Sequence, residues 1–213
     1  MITFREMRES DYHTCADMMW KRWACDEVKD NPELAINYGY MFLYYSLATA
    51  SAAFVADEDG KAIGLLILEV KDGHPMKIQY FLQMLEHVAA FCTDPNGYDN
   101  VREWIALEKE YRTADQLVRN QGIDAEIQLF INDEDHRRQG IGSDMFRYMA
   151  EYLHEKGVEK FYLHSDQCSN HEFYVDKRHM DEFNKRSSTV TVGDVHNADL
   201  FIYVDDVVNQ MNL

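Results

Sequence analysis

The stretch Ala125-Glu126-Ile127-Gln128-Leu129-Phe130-Ile131-Asn132, then the charged loop 133–139, then Gly140-Ile141-Gly142-Ser143, decides how this chain is read. Residues 125–132 read as a strand. A helix follows the glycines and runs to about Lys156, with Met145, Met149 and Leu153 as its apolar stripe and Gly157 as its stop. The segment Arg137-Arg138-Gln139-Gly140-Ile141-Gly142-Ser143 therefore joins a strand to a helix. The first N–H groups of a helix lack internal partners, and the helix dipole is positive there. Glycines let an anion approach the bare backbone, and two arginines add cationic donors. These residues predict a pyrophosphate site. The plain alternative is a tight turn with solvated arginines.

Other phosphate motifs are excluded. The Walker pattern G-x-x-x-x-G-K-[ST] is absent, and the dinucleotide pattern lacks its third glycine because position 145 is Met. There is no G-x-S-x-G nucleophile elbow. What remains is R-x-x-G-x-G entering a helix.

Working outward, residues 2–7 alternate as a half-buried strand, and Ser10-Asp11 starts a helix over 11–24. Asn31-Pro32 opens an aromatic-rich helix over 33–48. Residues 52–56 and 61–70 are strands around the turn Asp57-Glu58-Asp59-Gly60, and Asp72-Gly73 marks the next turn. Helices are expected over 76–92 and 99–121, separated by Thr93-Asp94-Pro95-Asn96-Gly97. The second carries Glu108, Lys109, Glu110 and Arg112 at helical pair spacings. After residues 161–164, a strand, come a helix over 170–183 and strands over 189–192 and 200–204. The order predicts one α/β domain spanning 1–213. Its central sheet is mixed and mostly antiparallel, with helices on both faces and a helical insertion at about 74–122.

Composition narrows the class. The chain has 213 residues and a formal charge of −17, which disfavours nucleic acid and anionic membranes and favours a cationic partner. The longest apolar run, Ile63–Leu68, falls far short of the roughly 20 residues that span a bilayer. The N-terminus lacks a signal-peptide layout, so a cytoplasmic location is expected. Cys15, Cys25, Cys92 and Cys168 include no C-x-x-C pair and read as reduced thiols. His154-Glu155 and His171-Glu172 lack the second histidine of a zincin, because Val158 and Val175 stand there. No metal is expected.

The R-x-x-G-x-G loop in its strand–loop–helix setting resembles the acyl-CoA pyrophosphate loop of the GNAT superfamily of N-acetyltransferases, and the order of elements resembles that fold. The resemblance implies acetyl-CoA as co-substrate. It makes residues 125–131 the strand beside the acetyl and pantetheine groups, with Phe130 and Ile131 at the cofactor and a backbone N–H near Phe130 polarising the thioester carbonyl. It implies Glu126 as general base. Phe161-Tyr162-Leu163-His164 and the following Ser165–Tyr174 are similar to the family's last cofactor-contacting segment. By that likeness Asn170 bonds the pantetheine arm and Tyr174 protonates the departing thiolate. One departure stands out. The family often continues F-Y-x-x-x-G-[FM], but here Phe173-Tyr174 is followed by Val175-Asp176-Lys177-Arg178-His179-Met180, without the glycine.

The expected reaction is direct transfer of acetyl to a primary amine of a small cationic molecule, such as a polyamine or aminosugar. A protein N-terminus or lysine is the competing acceptor. The rival class is a non-catalytic acyl-CoA-binding sensor on the same fold. The insertion either walls the acceptor cleft, through Tyr80, Phe81, Met84, His87 and Trp104, or packs on the sheet or forms a homodimer contact.

Overall fold

The computed structural model describes residues 1–71, 73–192 and 195–213. Asp72 of the expected Asp72-Gly73 turn lies outside them. The chain divides into two compact units, and residues 74–122 are shared between them.

The first unit holds residues 1–69, 73–102 and 129–141. Strand β1 (Ile2–Glu6) pairs antiparallel with β2 (Ala52–Glu58), which forms a hairpin with β3 (Lys61–Val70). The hairpin turn needs left-handed backbone at two residues, Asp59 (φ 53°) and Gly60 (φ 89°), and the Gly60 N–H donates to the Asp57 carboxylate at 2.7 Å. Arg5 ties the hairpin to the chain after β1: Nε donates to Asp57 at 2.7 Å, and Nη1 and Nη2 to Asp11 at 2.7 and 2.9 Å.

Helix α1 (Tyr12–Trp23) follows, then the short α2 (Asp26–Lys29) and α3 (Pro32–Thr49). Asn31 caps α3 by accepting from the Leu34 N–H, and Pro32 takes the first helical position, as the sequence predicts. Gly39 sits where α1 and α3 meet, since a Cβ there would lie 2.1 Å from the Ala16 carbonyl oxygen. Helix α4 (Ile78–Phe91) and the start of α5 (Pro95–Arg119) complete the unit, with Gly97 seated equally close against the Phe91 carbonyl.

The second unit contains the short segment with Val70 and Lys71, then Glu103–Gln128 and Gly142–Leu213. It holds the first half of β4 (Ala125–Asn132), then α6 (Ile141–Glu155), β5 (Lys160–Asp166), β6 (Asp181–Ser187), β9 (Asp199–Asp206) and α7 (Val207–Asn212). The strand pair β7 (Thr191–Val192) and β8 (Val195–His196) is separate from the main sheet. Seven strands run in the order β1-β2-β3-β4-β5-β9-β6. Among the described pairings only β4 with β5 is parallel, so the sheet is mixed and mostly antiparallel, as expected.

Helices cover both faces of the second unit's strands. On one face, Ala114 and Val118 of α5 pack with Ile123, Tyr162 and Ile202. On the other, Phe146 of α6 meets Phe161 edge-on, with ring centroids 6.5 Å apart. Gly157 ends α6 with φ 74°, and the Val158 N–H returns to the Leu153 carbonyl.

The expected helix over 170–183 is corrected. Only Phe173–Lys177 forms a turn of π-type helix, and 181–187 is β6, paired with β9. His179 takes a left-handed φ of 52° where the glycine is missing, and this stops the helix. Arg178 is drawn into the core, where Nε donates to Gln210 Oε1 at 2.7 Å and the guanidinium lies 5.5 Å from the Phe146 ring centre. Of the strand expected over 189–192, Thr191–Val192 forms.

Candidate active site

The loop after β4 is built from local interactions. The Asp133 carboxylate accepts from the Asp135 N–H at 2.9 Å and turns the chain through Glu134–His136. Arg138 then takes φ 63° and Gly140 φ 84°, and α6 begins at the buried Ile141. A left-handed arginine is uncommon, because its Cβ crowds the following carbonyl, and such positions cluster at ligand-binding segments. Arg137 is paired with Glu134 at 2.7 Å. Arg138 is exposed and has no ion pair among the described residues. Gln139 and Gly140 are exposed beside it, and Gly142 and Ser143 open the helix. The acidic residue in that first turn, Asp144, is balanced by Arg147 at 3.0 Å.

Glu126 lies on the α5-facing side of β4, opposite Tyr162 in the parallel register Ala125↔Phe161, Glu126↔Tyr162, Ile127↔Leu163. It is buried, with 1% of its surface exposed. Arg112 reaches it from α5 with a two-pronged ion pair, Nη1 to Oε2 at 3.0 Å and Nη2 to Oε1 at 2.8 Å. Lys71 Nζ donates to Oε2 at 3.2 Å, and the Tyr162 hydroxyl lies 3.1 Å from the same oxygen. Burial pushes the carboxyl's pKa up. The Arg112 hydrogen bonds and charge, with His164 and Lys71, outweigh that and bring it down to about 2. A carboxylate held this firmly in its ionised form has little capacity to take a proton.

Asp115 extends the cluster and is also 1% exposed. Its Oδ2 faces Arg112 Nη1 at 3.0 Å, with Lys71 and Arg119 each at 3.6 Å. Its Oδ1 meets His164 Nε2 at 2.7 Å and the Tyr162 hydroxyl at 3.2 Å. His164 stacks on Tyr111, with ring centroids 4.6 Å apart. Asp115, Glu126 and His164 each offer a donor atom within 4.8 Å of the others. Arg112 and Lys71 already engage both carboxylates, so a metal ion there would be a further positive charge in a buried space.

Tyr174 sits elsewhere. The Asp166 carboxylate accepts from the Cys168 and Ser169 N–H groups at 2.8 and 2.9 Å, shaping the turn that leads to the exposed Asn170. Tyr174 then packs on Phe146 of α6 and Tyr203 of β9, with centroids 6.1 and 5.6 Å away. Tyr203 pairs with Leu163, whereas Ile202 pairs with His164, so Tyr203 and Tyr174 lie on the α6 side. Glu126 lies on the α5 side. The structure thus places the two expected catalytic residues on opposite faces of these strands. The Tyr174 hydroxyl has no hydrogen-bond partner among the described residues. Burial, with Asp166 and Tyr203, holds its pKa above the ordinary tyrosine value. Phe130 is half-buried and Ile131 buried on the last part of β4.

Of the residues expected to wall an acceptor cleft, Met84 is buried, and Tyr80 and His87 join an aromatic stack with Tyr44 in the first unit. The sequence analysis gives no site role to Lys71 or Asp115, and names Tyr162 and His164 only within the segment similar to the family's last cofactor-contacting one. Residues 108, 111, 112, 115 and 119 do follow helical spacing, which marks one continuous polar stripe of α5.

A mixed sheet whose parallel strand enters a helix through an arginine- and glycine-bearing loop defines an α/β protein suited to a phosphate-rich ligand. The profile of the Acetyltransferase (GNAT) family matches residues 15–179, and the chain belongs to that family. It is an N-acetyltransferase with acetyl-CoA as co-substrate. No curated protein matches it in sequence. Solved structures share the fold at low identity. Drosophila melanogaster polyamine N-acetyltransferase, which forms N-acetylagmatine, is 14% identical with TM-score 0.57, covering 97% of this chain and 100% of that one. The ribosomal-protein-S18-alanine N-acetyltransferase of Escherichia coli is 13% identical with TM-score 0.58, covering 97% and 94%. A GNAT acetyltransferase of Elizabethkingia anophelis with acetyl-CoA bound is 11% identical with TM-score 0.53, covering 96% and 97%. No helix of the described residues is long and apolar enough to cross a membrane.

Proposed function

We propose that the chain transfers acetyl directly from acetyl-CoA to a primary amine of a small cationic molecule. The observation that carries the donor site is the left-handed pair Arg138 and Gly140 at the mouth of α6. It leaves Arg138 unpaired beside the first N–H groups of a helix, a setting suited to the CoA pyrophosphate. In this reading Arg137 through Ser143 hold the pyrophosphate, the backbone at Phe130 and Ile131 receives the thioester, and Asn170 bonds the pantetheine arm. Tyr174, kept protonated by burial, gives its proton to the departing thiolate. Positioning both substrates supplies much of the acceleration.

The acceptor class rests on charge. A formal charge of −17 attracts cations to the protein and disfavours acidic acceptors. The polyamine acceptor in the name of the Drosophila protein belongs to the same chemical class. Glu126, expected from the family resemblance as the base, is engaged by two cations and serves here to fix α5 against β4.

Calorimetric titration with acetyl-CoA, beside the variant Gly142→Trp, tests the donor site. Saturable binding that the variant loses supports it, and no binding by the unmodified protein sinks it. Free-thiol release with spermidine, agmatine, an aminosugar and an unstructured peptide then tests the acceptor. Turnover confined to the peptide would overturn the small-cation reading.

A further inference from the structure

We infer that His164, oriented by Asp115, is the base that takes the proton from the acceptor's ammonium group. The inference rests on transfer to an amine, as proposed above. Five observations support it. Asp115 is buried and ion-paired with Arg112, Lys71 and Arg119, so its carboxylate oxygens serve as hydrogen-bond acceptors. The 2.7 Å contact with His164 therefore requires the proton on Nε2, which leaves the Nδ1 lone pair free to accept one. Nδ1 has no hydrogen-bond partner among the described residues, and the side chain keeps 6% of its surface open. The Tyr111 ring, stacked at 4.6 Å, and the Tyr162 ring, edge-on at 5.7 Å, fix the imidazole plane. Lastly, the parallel register of β4 with β5 ends at Leu163, so His164 is the first β5 residue beyond it.

Among the described residues, the charged and titratable groups around the imidazole and its partner Asp115 include Tyr111, Arg112, Asp115 and Arg119 of α5, Tyr162 of β5, Glu126 of β4 and Lys71. Asp115 is the carboxylate in direct contact, and it stabilises the imidazolium as it forms. Asp115 is thus a positioning residue.

The protons balance. An ammonium loses two protons on becoming an amide. The first moves to His164 Nδ1 and from there to solvent. The neutral amine attacks the thioester carbonyl carbon, the C–N bond forms and the C–S bond breaks. The second proton leaves the attacking nitrogen for solvent, and Tyr174, on the opposite face of the strands, donates its hydroxyl proton to the CoA sulfur and is reprotonated from solvent.

The test combines two measurements on the full chain. Nitrogen NMR of the labelled imidazoles, assigned with His164→Gln, should show His164 in the Nε2–H tautomer at neutral pH. The Nδ1–H tautomer would overturn the inference. The second is the pH profile of kcat/KM for acetyl-CoA with the best amine of the panel. His164→Gln should bind acetyl-CoA as the parent does, lose 100-fold or more in kcat/KM, and lose the acid limb of the profile. Asp115→Asn should keep an acid limb displaced to lower pH, since the imidazolium loses its counter-charge. A purely structural role for His164 would leave the acid limb where it is. That result, or turnover within threefold of the parent, overturns the inference. Acetyl-CoA binding without turnover on any amine would instead overturn the amine-acceptor reading, and the tautomer would then decide the role of the dyad.

Discussion

Arg112 and Glu126 form a two-pronged ion pair between α5 and β4 at 3.0 and 2.8 Å, with the carboxylate buried and the guanidinium partly open to solvent. The geometry makes α5 part of the second unit's core. Its energetic weight lies less in the attraction itself than in the cost of leaving either charge alone.

Removing one partner should therefore be costly. Arg112→Leu leaves Glu126 with Lys71 as its remaining cation and should destabilise the fold by about 3–5 kcal/mol. Glu126→Gln should cost less, because it removes the buried charge together with its partner's attraction. The pH dependence carries a definite sign. The folded-state pKa of Glu126 is brought down to about 2 from an ordinary value near 4.5. Its contribution is present above about 4.5 and is lost as pH falls through about 2. Urea unfolding followed from pH 7 to pH 2 should show a steeper acid loss for the parent than for Glu126→Gln. Equal slopes would mean that another carboxylate governs acid unfolding.

Gly39→Ala tests the meeting of α1 and α3. An added Cβ would stand 2.1 Å from the Ala16 carbonyl oxygen, and that atom is backbone, so the helices themselves must separate. The expected cost is about 3 kcal/mol or more despite the better helix propensity of alanine. A thermal melt within a degree of the parent would show that the helices separate freely.

What could be read from the sequence depended on how local the deciding signal was. The loop over 133–143 was legible because glycines, arginines and a following apolar stripe act within a few residues of one another. The β2–β3 hairpin was legible for the same reason, through Asp59-Gly60. Arg112 reads in the sequence only as one of several charges at helical pair spacings, because nothing near it in sequence reveals Glu126 across the fold. The pairing of Asp115 with His164 is hidden likewise, since their contact joins a helix to a strand 49 positions away. The segment 170–183 was misread because Arg178 turns inward and His179 takes a conformation that glycine usually supplies, so the helical pattern stops early.

Arg138 should separate binding from stability. Its φ of 63° is unfavourable for a bulky residue, whereas glycine adopts it freely. Arg138→Gly should leave fold stability unchanged or raise it by less than ~1 kcal/mol. The same change should weaken acetyl-CoA about tenfold, the loss of one charge-assisted contact. The affinity that remains should depend less on salt. Calorimetry at two ionic strengths beside a urea melt reads both effects. Unchanged affinity would remove Arg138 from the pyrophosphate site.

Tyr174→Phe isolates the proposed acid. The ring packs on Phe146 and Tyr203, and the hydroxyl bonds to nothing among the described residues, so the variant keeps its packing and stability should change little. Acetyl-CoA affinity should hold within about threefold, while kcat falls by a factor on the order of 100. Burial holds the parent's hydroxyl protonated beyond the ordinary tyrosine range, so any alkaline limb it causes must lie above pH 10. An alkaline limb near pH 8 that survives in Tyr174→Phe belongs to another group. Full activity of the variant would mean that the thiolate leaves without Tyr174, its proton coming from solvent.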